Sequence, residues 1–384
     1  MHDHTSHNRQ PTPLRLASTV VTRRRLLAGL GALGAATLGA AACGDVTTGG
    51  GSGGGSSGGK KLELTMFVFL GGDLGKMPKE FADEWQADHR NVTLKLYEQS
   101  NQVGYPKMVA QKQTDPTKPL VNLGFFNAQT TEQGILDQMW APLDYAAMTN
   151  ATDVRQQFKR DDGYGIGIGS DQIGLLYNTQ KLTPKPTSWQ ALWDPANRGK
   201  VTLFGFPWYA VFAAAKLNGG GLDDMEPGWR AWQENAKNIR TLVTSNPEYL
   251  NVLASGTAPL TGYFNGTGNQ WIAGGAPLEY VPPDEGAISV PVNLQVVAGQ
   301  DSDHLAACHE IVDAMLSPKW CSRWAETSIE VPANTKSSLP SHLAGLPAFS
   351  EATVEKMLRV DYAIVGKNQS AWTDRWQRDV VTRM

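Results

Sequence analysis

Histidine and cysteine, the side chains most often used for acid–base, nucleophilic and metal chemistry near neutral pH, are few beyond residue 60: four histidines, His89, His304, His309 and His342, and two cysteines, Cys308 and Cys321. None falls into a working constellation. There is no H-E-x-x-H, no C-x-x-C and, beyond residue 60, no G-x-S-x-G, so a nucleophile with its base or a zinc set is not encoded in any familiar spacing. His304 and His309 alone supply too few ligands for a metal. The glycine-rich run Asp161 to Gly169 could suggest a phosphate loop, but it lacks the Gly-Lys-Ser/Thr ending and the strand–helix setting that such a loop needs. What remains is binding chemistry: amides, hydroxyls, aromatic rings and isolated acids, with no cofactor implied.

The elements that must position these groups follow from hydropathy. Leu62 to Leu70 reads as a strand, Met77 to His89 as an amphipathic helix with Phe81 and Trp85 on one face, and Val92 to Tyr97 as a second strand. That order predicts a parallel βαβ unit with a right-handed crossover. Tyr105 to Lys112 and Thr131 to Met139 read as helices around a third strand, Leu120 to Phe126. Asn127 and Gln129 then sit at the carboxyl end of that strand, where open α/β sheets place ligands. Trp208 to Leu217 and Pro227 to Val243 read as further helices. Leu260 to Phe264 and Leu278 to Val281 read as strands, and Ala287 to Val297 as a long extended segment. His304 to Leu316 and Pro318 to Thr327 read as consecutive helices, which carry Cys308 and Cys321; a disulfide between them is one outcome, two separate thiols the other.

The most specific stretch runs from Gly174 to Leu203. An apolar run ends in Tyr177-Asn178, prolines 184 and 186 interrupt it, Ser188 caps a short segment carrying Trp189 and Trp193, Asp194-Pro195 closes that, and Arg198-Gly199-Lys200 leads into a strand. Together with Asn265-Gly266-Thr267, the P-x-E-G at Pro283 to Gly286 and the P-x-N at Pro332 to Asn334, this order resembles the extracellular solute-binding proteins of ABC importers, in particular their spermidine/putrescine-binding and ferric-ion-binding branch. The likeness covers nearly all of Leu62 to Asn334.

The resemblance implies an α/β fold of type II periplasmic-binding-protein architecture, two lobes of mainly parallel sheet flanked by helices with a ligand cleft between them. It divides the chain into a first lobe at 61–170, a second at 171–287, and a return at 288–384 whose terminal helices pack across the first lobe. It implies no enzymatic activity. The cleft residues it points to are Phe69, Asn127, Gln129, Asp171, Trp208, Tyr209, Phe264, Asn265, Thr267 and Asn293. The positions where polyamine-binding relatives carry carboxylates or a tryptophan hold Pro207, Ala210, Val290 and Val292, and the tyrosine pair of the ferric branch is broken by Phe264 after Tyr263. A desolvated dication without counter-charges is costly. The expected ligand is therefore a small neutral, zwitterionic or singly charged solute, with Asp171 or Asp73 serving one amine. Trp189 and Trp193 are assigned to packing.

The N-terminus carries addressing information. Thr22-Arg23-Arg24-Arg25-Leu26-Leu27 before an apolar stretch resembles a twin-arginine export signal, and Ala40-Ala41-Ala42-Cys43 resembles a lipobox with Ala40 where leucine is commonest. Residues 1–42 then form a lipoprotein signal peptide, Cys43 the lipidated residue, and 43–60 a glycine/serine tether; cleavage as an ordinary signal peptide is the alternative. Five of the 34 basic residues and one of the 37 acids precede Cys43, which leaves a net charge of −7 and argues against a nucleic-acid partner. The sequence thus predicts a monomeric, lipid-anchored receptor on the outer face of the cytoplasmic membrane, handing its solute to an ABC permease and its ATPase. A surface lipoprotein that keeps the fold as a sensor or adhesion partner is the second reading.

Overall fold

A computed structural model describes residues 61–70 and 72–384; the export signal, Cys43 and the tether lie outside the described residues. The chain opens with β1 (Leu62–Phe69), α1 (Lys76–Asp88) and β2 (Val92–Gln99), with β1 and β2 paired in parallel, so the crossover expected from sequence is present. The following α2 (Asn101–Thr114), β3 (Leu123–Asn127), α3 (Ala128–Leu136) and the short β4 (Trp140–Ala141) complete the first half-sheet. Next, β5 (Ile166–Asn178) leaves it, 13 residues long, and is buried at nearly every position. A strand with one face in solvent would be buried at alternate residues; this one is covered on both faces and buries even Ser170 and Gln172.

The second half comprises β6 (Val201–Phe204), α4 (Trp208–Leu217), α5 (Glu226–Glu234), β7 (Ile239–Val243), α6 (Asn246–Ser255), β8 (Leu260–Phe264), α7 (Asn265–Ala273) and β9 (Leu278–Val281). The single helix expected over Pro227 to Val243 is corrected here: it stops at Glu234, and Ile239–Val243 pairs in parallel with β6. The β-branched and apolar run Ile239, Leu242, Val243 belongs to a sheet, a choice periodicity alone could not make across a short segment. The chain returns through β10 (Ile288–Val297), α8 (Ser302–Met315), α9 (Pro318–Ser328), β11 (Val331–Pro332) and three C-terminal helices, α10 (Ser341–Ala344), α11 (Glu351–Glu355) and α12 (Tyr362–Asp379).

The sheet order is β2-β1-β3-β10-β5-β8-β6-β7. The outer strands β2-β1-β3 and β8-β6-β7 are parallel within each half, whereas the central strands β5 and β10 run antiparallel to each other and to their neighbours β8 and β3, and join the halves. Two cores flank this junction. One gathers Leu64, Met66, Phe81, Phe125, Ile168, Leu294, Ile311 and Trp324; the other Leu175, Trp189, Leu203, Val211, Trp229, Trp232 and Leu260.

Two motifs of the sequence prove to be one device. The Ser188 hydroxyl accepts from the Gln190 amide at 3.1 Å and donates to Glu285 at 2.5 Å, Glu285 also accepts from the Trp189 amide at 3.2 Å, and the Trp189 indole N–H donates to the Gly286 carbonyl at 2.9 Å. The S-W and P-x-E-G segments therefore hold each other around one fully buried tryptophan. Gly286 has φ +106°, and a Cβ there would lie 2.2 Å from the Lys356 carbonyl. Gly286→Ala should cost about 1–3 kcal/mol, read as a lower urea midpoint at unchanged m-value. Cys308 and Cys321 are buried, separate thiols, and burial pushes both up to about 12.

The C-terminal helices depart from expectation. They do not rest on the first half alone: Val354 and Met357 enter the first core, but Trp376 and Val380 are buried in the second.

Candidate interlobe binding site

Four segments meet around one point of the junction. A 3-10 turn at Gly72–Gly75 follows β1 and presents Asp73; β5 carries Asp171; the turn from β8 into α7 brings Gly266, Thr267 and Gln270; and the end of α9 supplies Thr327, Ser328 and Glu330. Together they line a cavity of about 330 Å³. Among the described residues that line it there is no lysine, arginine or histidine. Asp73 pairs at the surface with Lys76 at 2.8 Å.

Asp171 is held by backbone. Its Oδ1 accepts from the Gln172 amide at 2.7 Å and the Gly266 amide at 3.0 Å. Gly266 permits this approach, because a Cβ there would lie 2.7 Å from the Ser328 carbonyl and 3.3 Å from Asp171 Oδ2. Glu330 is 6% exposed, and its Oε2 accepts from the Trp324 indole N–H at 2.8 Å. That indole is itself fixed, stacked on Phe125 with ring centroids 5.3 Å apart. Burial pushes the Asp171 carboxyl up to about 7, against the pull of the Gly266, Gln172 and Asn265 amides. Burial, and then the Asp171 charge, hold Glu330 well above the usual carboxylate range. A half-buried and a buried carboxyl facing one space with no basic side chain beside them is an arrangement in which a proton or a bound cation makes up the charge.

The backbone beside them is strained. Ile329 has φ +58°, left-handed for a β-branched residue, at a cost of roughly 1–3 kcal/mol. Its carbonyl accepts from Asn265 Nδ2 at 2.7 Å, and Asn265 Oδ1 in turn accepts from Asn269 Nδ2 at 2.7 Å. The amide of Asn265 thereby ties the second half of the molecule to the segment that aims Glu330.

Of the residues singled out from sequence, Asp171 and Thr267 share this cavity. Asn265 lies behind it, buried, in the latch just described. Asn293 is buried, donates to Thr131 Oγ1 at 3.1 Å, and lines a different cavity of about 540 Å³ with Ser289, Pro291 and the segment around Tyr362. That cavity lies on the opposite side of the β5–β10 ribbon. Asp171 pairs with Val290, and cross-strand partners share a face, whereas Ser289 and Pro291 point the other way. Phe69, Asn127, Gln129, Trp208, Tyr209 and Phe264 line neither cavity. Asn127 caps α3 by accepting from the Thr130 amide at 2.8 Å, and Tyr209 is buried with its hydroxyl on the Gly262 carbonyl at 2.7 Å. Trp208 is half-buried, edge-on to Tyr362 at 5.8 Å, and Phe264 edge-on to Tyr263 at 5.7 Å. Phe69 packs against the first core, and Gln129 is half-buried in the first turn of α3.

Glu330 was not foreseen. Its signal was an acid between Ile329 and Val331, directly before the P-x-N motif, where an apolar residue would continue the run.

The profile of the bacterial extracellular solute-binding proteins matches residues 119–348. No curated protein matches the chain. Among solved structures, an ABC transporter from Clostridium perfringens aligns at TM-score 0.71 and 18% identity, over 83% of this chain and 99% of its own. A spermidine/putrescine ABC transporter substrate-binding protein from Streptococcus pneumoniae aligns at 0.68 and 17%, over 84% and 100%. The Atu4243-GABA receptor aligns at 0.65 and 18%, over 82% and 96%.

Proposed function

We propose, for a chain that belongs to the bacterial extracellular solute-binding protein family, that it captures a small solute bearing one ammonium group between its lobes and delivers it to an ABC permease. The observation that carries the ligand class is the pair of carboxyls, half-buried Asp171 and buried Glu330, with no basic residue among the described residues lining their cavity. An ammonium ion would be held by Asp171, whose carboxylate the two amides already orient, with Glu330 as second acceptor or, protonated, as donor to a neighbouring oxygen of the solute.

An extended polyamine fits less well. It needs further charges along the cleft; Pro207, Ala210, Val290 and Val292 supply none, and Asp73 is already paired with Lys76. The similar structures described as a spermidine/putrescine-binding protein and as a GABA receptor are consistent with amine recognition on this fold, the second with one ammonium group per ligand. The lobes in this reading are 61–170 and 171–287 with the return at 288–384, and the C-terminal helix is shared between them. Cys43 and the 43–60 tether anchor the monomeric receptor to the outer face of the membrane.

A thermal-shift panel of monoamines, zwitterionic amino acids, polyamines, sugars and phosphonates tests this. Ligands that bind only the folded state raise the melting temperature with concentration. A shift with monoamines or zwitterions, lost in Asp171→Asn, is the expected result. A larger shift with spermidine, or a shift with sugars alone, would overturn it.

A further inference from the structure

Beyond residue 348, where the family match ends, the chain crosses the lobe boundary repeatedly. Ala348 is fully buried against the second half, and its carbonyl accepts from Gln172 Nε2 of the junction strand β5 at 2.7 Å. Six residues later Val354 is in the first core, its carbonyl accepting from Gln157 Nε2 at 3.4 Å, and Glu351 forms a two-pronged ion pair with Arg155. The chain then lies along the junction strand β10: the Leu358 amide donates to the Ala287 carbonyl at 2.8 Å and the Ser289 amide to the Leu358 carbonyl at 3.0 Å. Tyr362, buried, donates to the Ser289 carbonyl at 2.8 Å.

From there α12 spans the two halves. It packs along α3 of the first half. Its far end is fixed to the second by Trp376, which is fully buried with its ring edge-on to Trp232 at 5.6 Å and tilted against Phe206 at 6.3 Å. Arg375 reinforces this end, paired with Glu226 and lying 4.8 Å over the Trp229 ring.

From this path we infer that α12 is a strap that sets the resting opening of the two lobes. Among the described residues, β5 and β10, the crossings at 348–362 and the Asn265–Ile329 hydrogen bond also join them, and a two-strand ribbon with a few such ties bends more easily than one braced by a helix. Because Trp376 moves with the second half, any hinge motion about β5 and β10 slides α12 along α3. That is a shear contact, and packed faces of this kind hold discrete positions and resist continuous drift. The strap therefore restricts how far the empty protein opens, and so the fraction of molecules ready to close on a solute.

The inference is independent of which solute the cleft takes. Small-angle scattering on the ligand-free protein tests it, with hydrogen exchange on the same samples to report whether α12 has loosened. Two variants weaken the far anchor: Trp376→Ala, and Arg375→Ala with Glu226→Gln, which leaves the core intact should the first not fold. Deleting residues 363–384 from the folded protein by limited proteolysis removes the strap outright if neither substitution speeds exchange in α12. The expected result is faster exchange in α12 together with a radius of gyration above that of the wild type, for which roughly 20 Å is the compact value at this length. Amides of β1, β3 and β8 should stay protected. Loss of α12 protection with an unchanged radius of gyration would overturn the strap.

Discussion

Replacing Glu330 with glutamine should stabilise the empty protein while weakening solute capture, and the stabilisation should grow with pH. The sign follows from the direction of the shift. Burial and the Asp171 charge raise the Glu330 carboxyl in the folded protein, so the folded state holds a proton that the unfolded chain releases near pH 4.5. The stability this residue contributes is complete below pH 4.5 and is lost as pH rises through the folded value. Glutamine carries no such proton and can still accept from the Trp324 indole. The variant and the wild type should therefore melt together near pH 4. Above it the difference should widen by at most about 1.4 kcal/mol per pH unit. Capture of an amine should fall roughly ten- to a hundredfold, the usual worth of a hydrogen bond to a charged group. Melting curves from pH 4 to 8 check the first half and titration with the ligand found by thermal shift the second. A gain in stability at the cost of function is what a binding site built on unpaired buried acids entails.

Trp189→Ala should be the most destabilising single change in the second half. The ring is fully buried, and its indole N–H satisfies the Gly286 carbonyl. Truncation leaves a cavity against Tyr209 and frees that carbonyl, for a loss of about 3–5 kcal/mol. The loss should appear in the urea midpoint. Hydrogen exchange should place it among β6, β8 and β9, with amides around Leu64 and Phe125 far less affected. Trp193, 6% exposed with its ring edge-on to Trp232, shares the packing role but touches neither motif, so Trp193→Ala should cost less.

These two residues mark what could and could not be read from the sequence. Ser188-Trp189 and Glu285-Gly286 were visible as separate motifs because each is a dense local pattern of cap, ring, acid and glycine. That they clasp one another across nearly a hundred residues is a tertiary fact no window contains. The lobes' strands were legible where apolar runs are long and bounded by glycine or proline, as in β1 and β10. They were not legible at Ile239–Val243, where five residues continue an amphipathic helix in the same hydrophobic phase. The terminal helix misled for a related reason: its Trp372 and Trp376 at i, i+4 announce a buried face but not which core receives it. Asp171 was legible through the family resemblance, as an acid in the polar step Ser170-Asp171-Gln172 just ahead of the apolar run to Tyr177. Glu330 is an acid beside apolar residues too and went unread, since its meaning lies in the 171–330 juxtaposition and in the left-handed Ile329 that aims it. Tyr209 and Asn265 show the reverse case. Their types suit a ligand wall, yet the fold spends the hydroxyl on Gly262 and the amide on Ile329.

The central claim is that the Asp171–Glu330 pair takes the charged end of the solute. The most direct test is the pH dependence of affinity for the strongest amine ligand, measured by titration calorimetry between pH 5 and 8.5 in the wild type and in Asp171→Asn. Asp171 ionises at about 7 when the cleft is empty, so an ammonium ligand must displace its proton below that pH. Affinity in the wild type should rise by up to about tenfold per pH unit until about 7 and then level off. In Asp171→Asn it should be weak and nearly flat. An affinity independent of pH, or one that survives Asp171→Asn unchanged, would contradict the account and move the solute's charged end away from this pair.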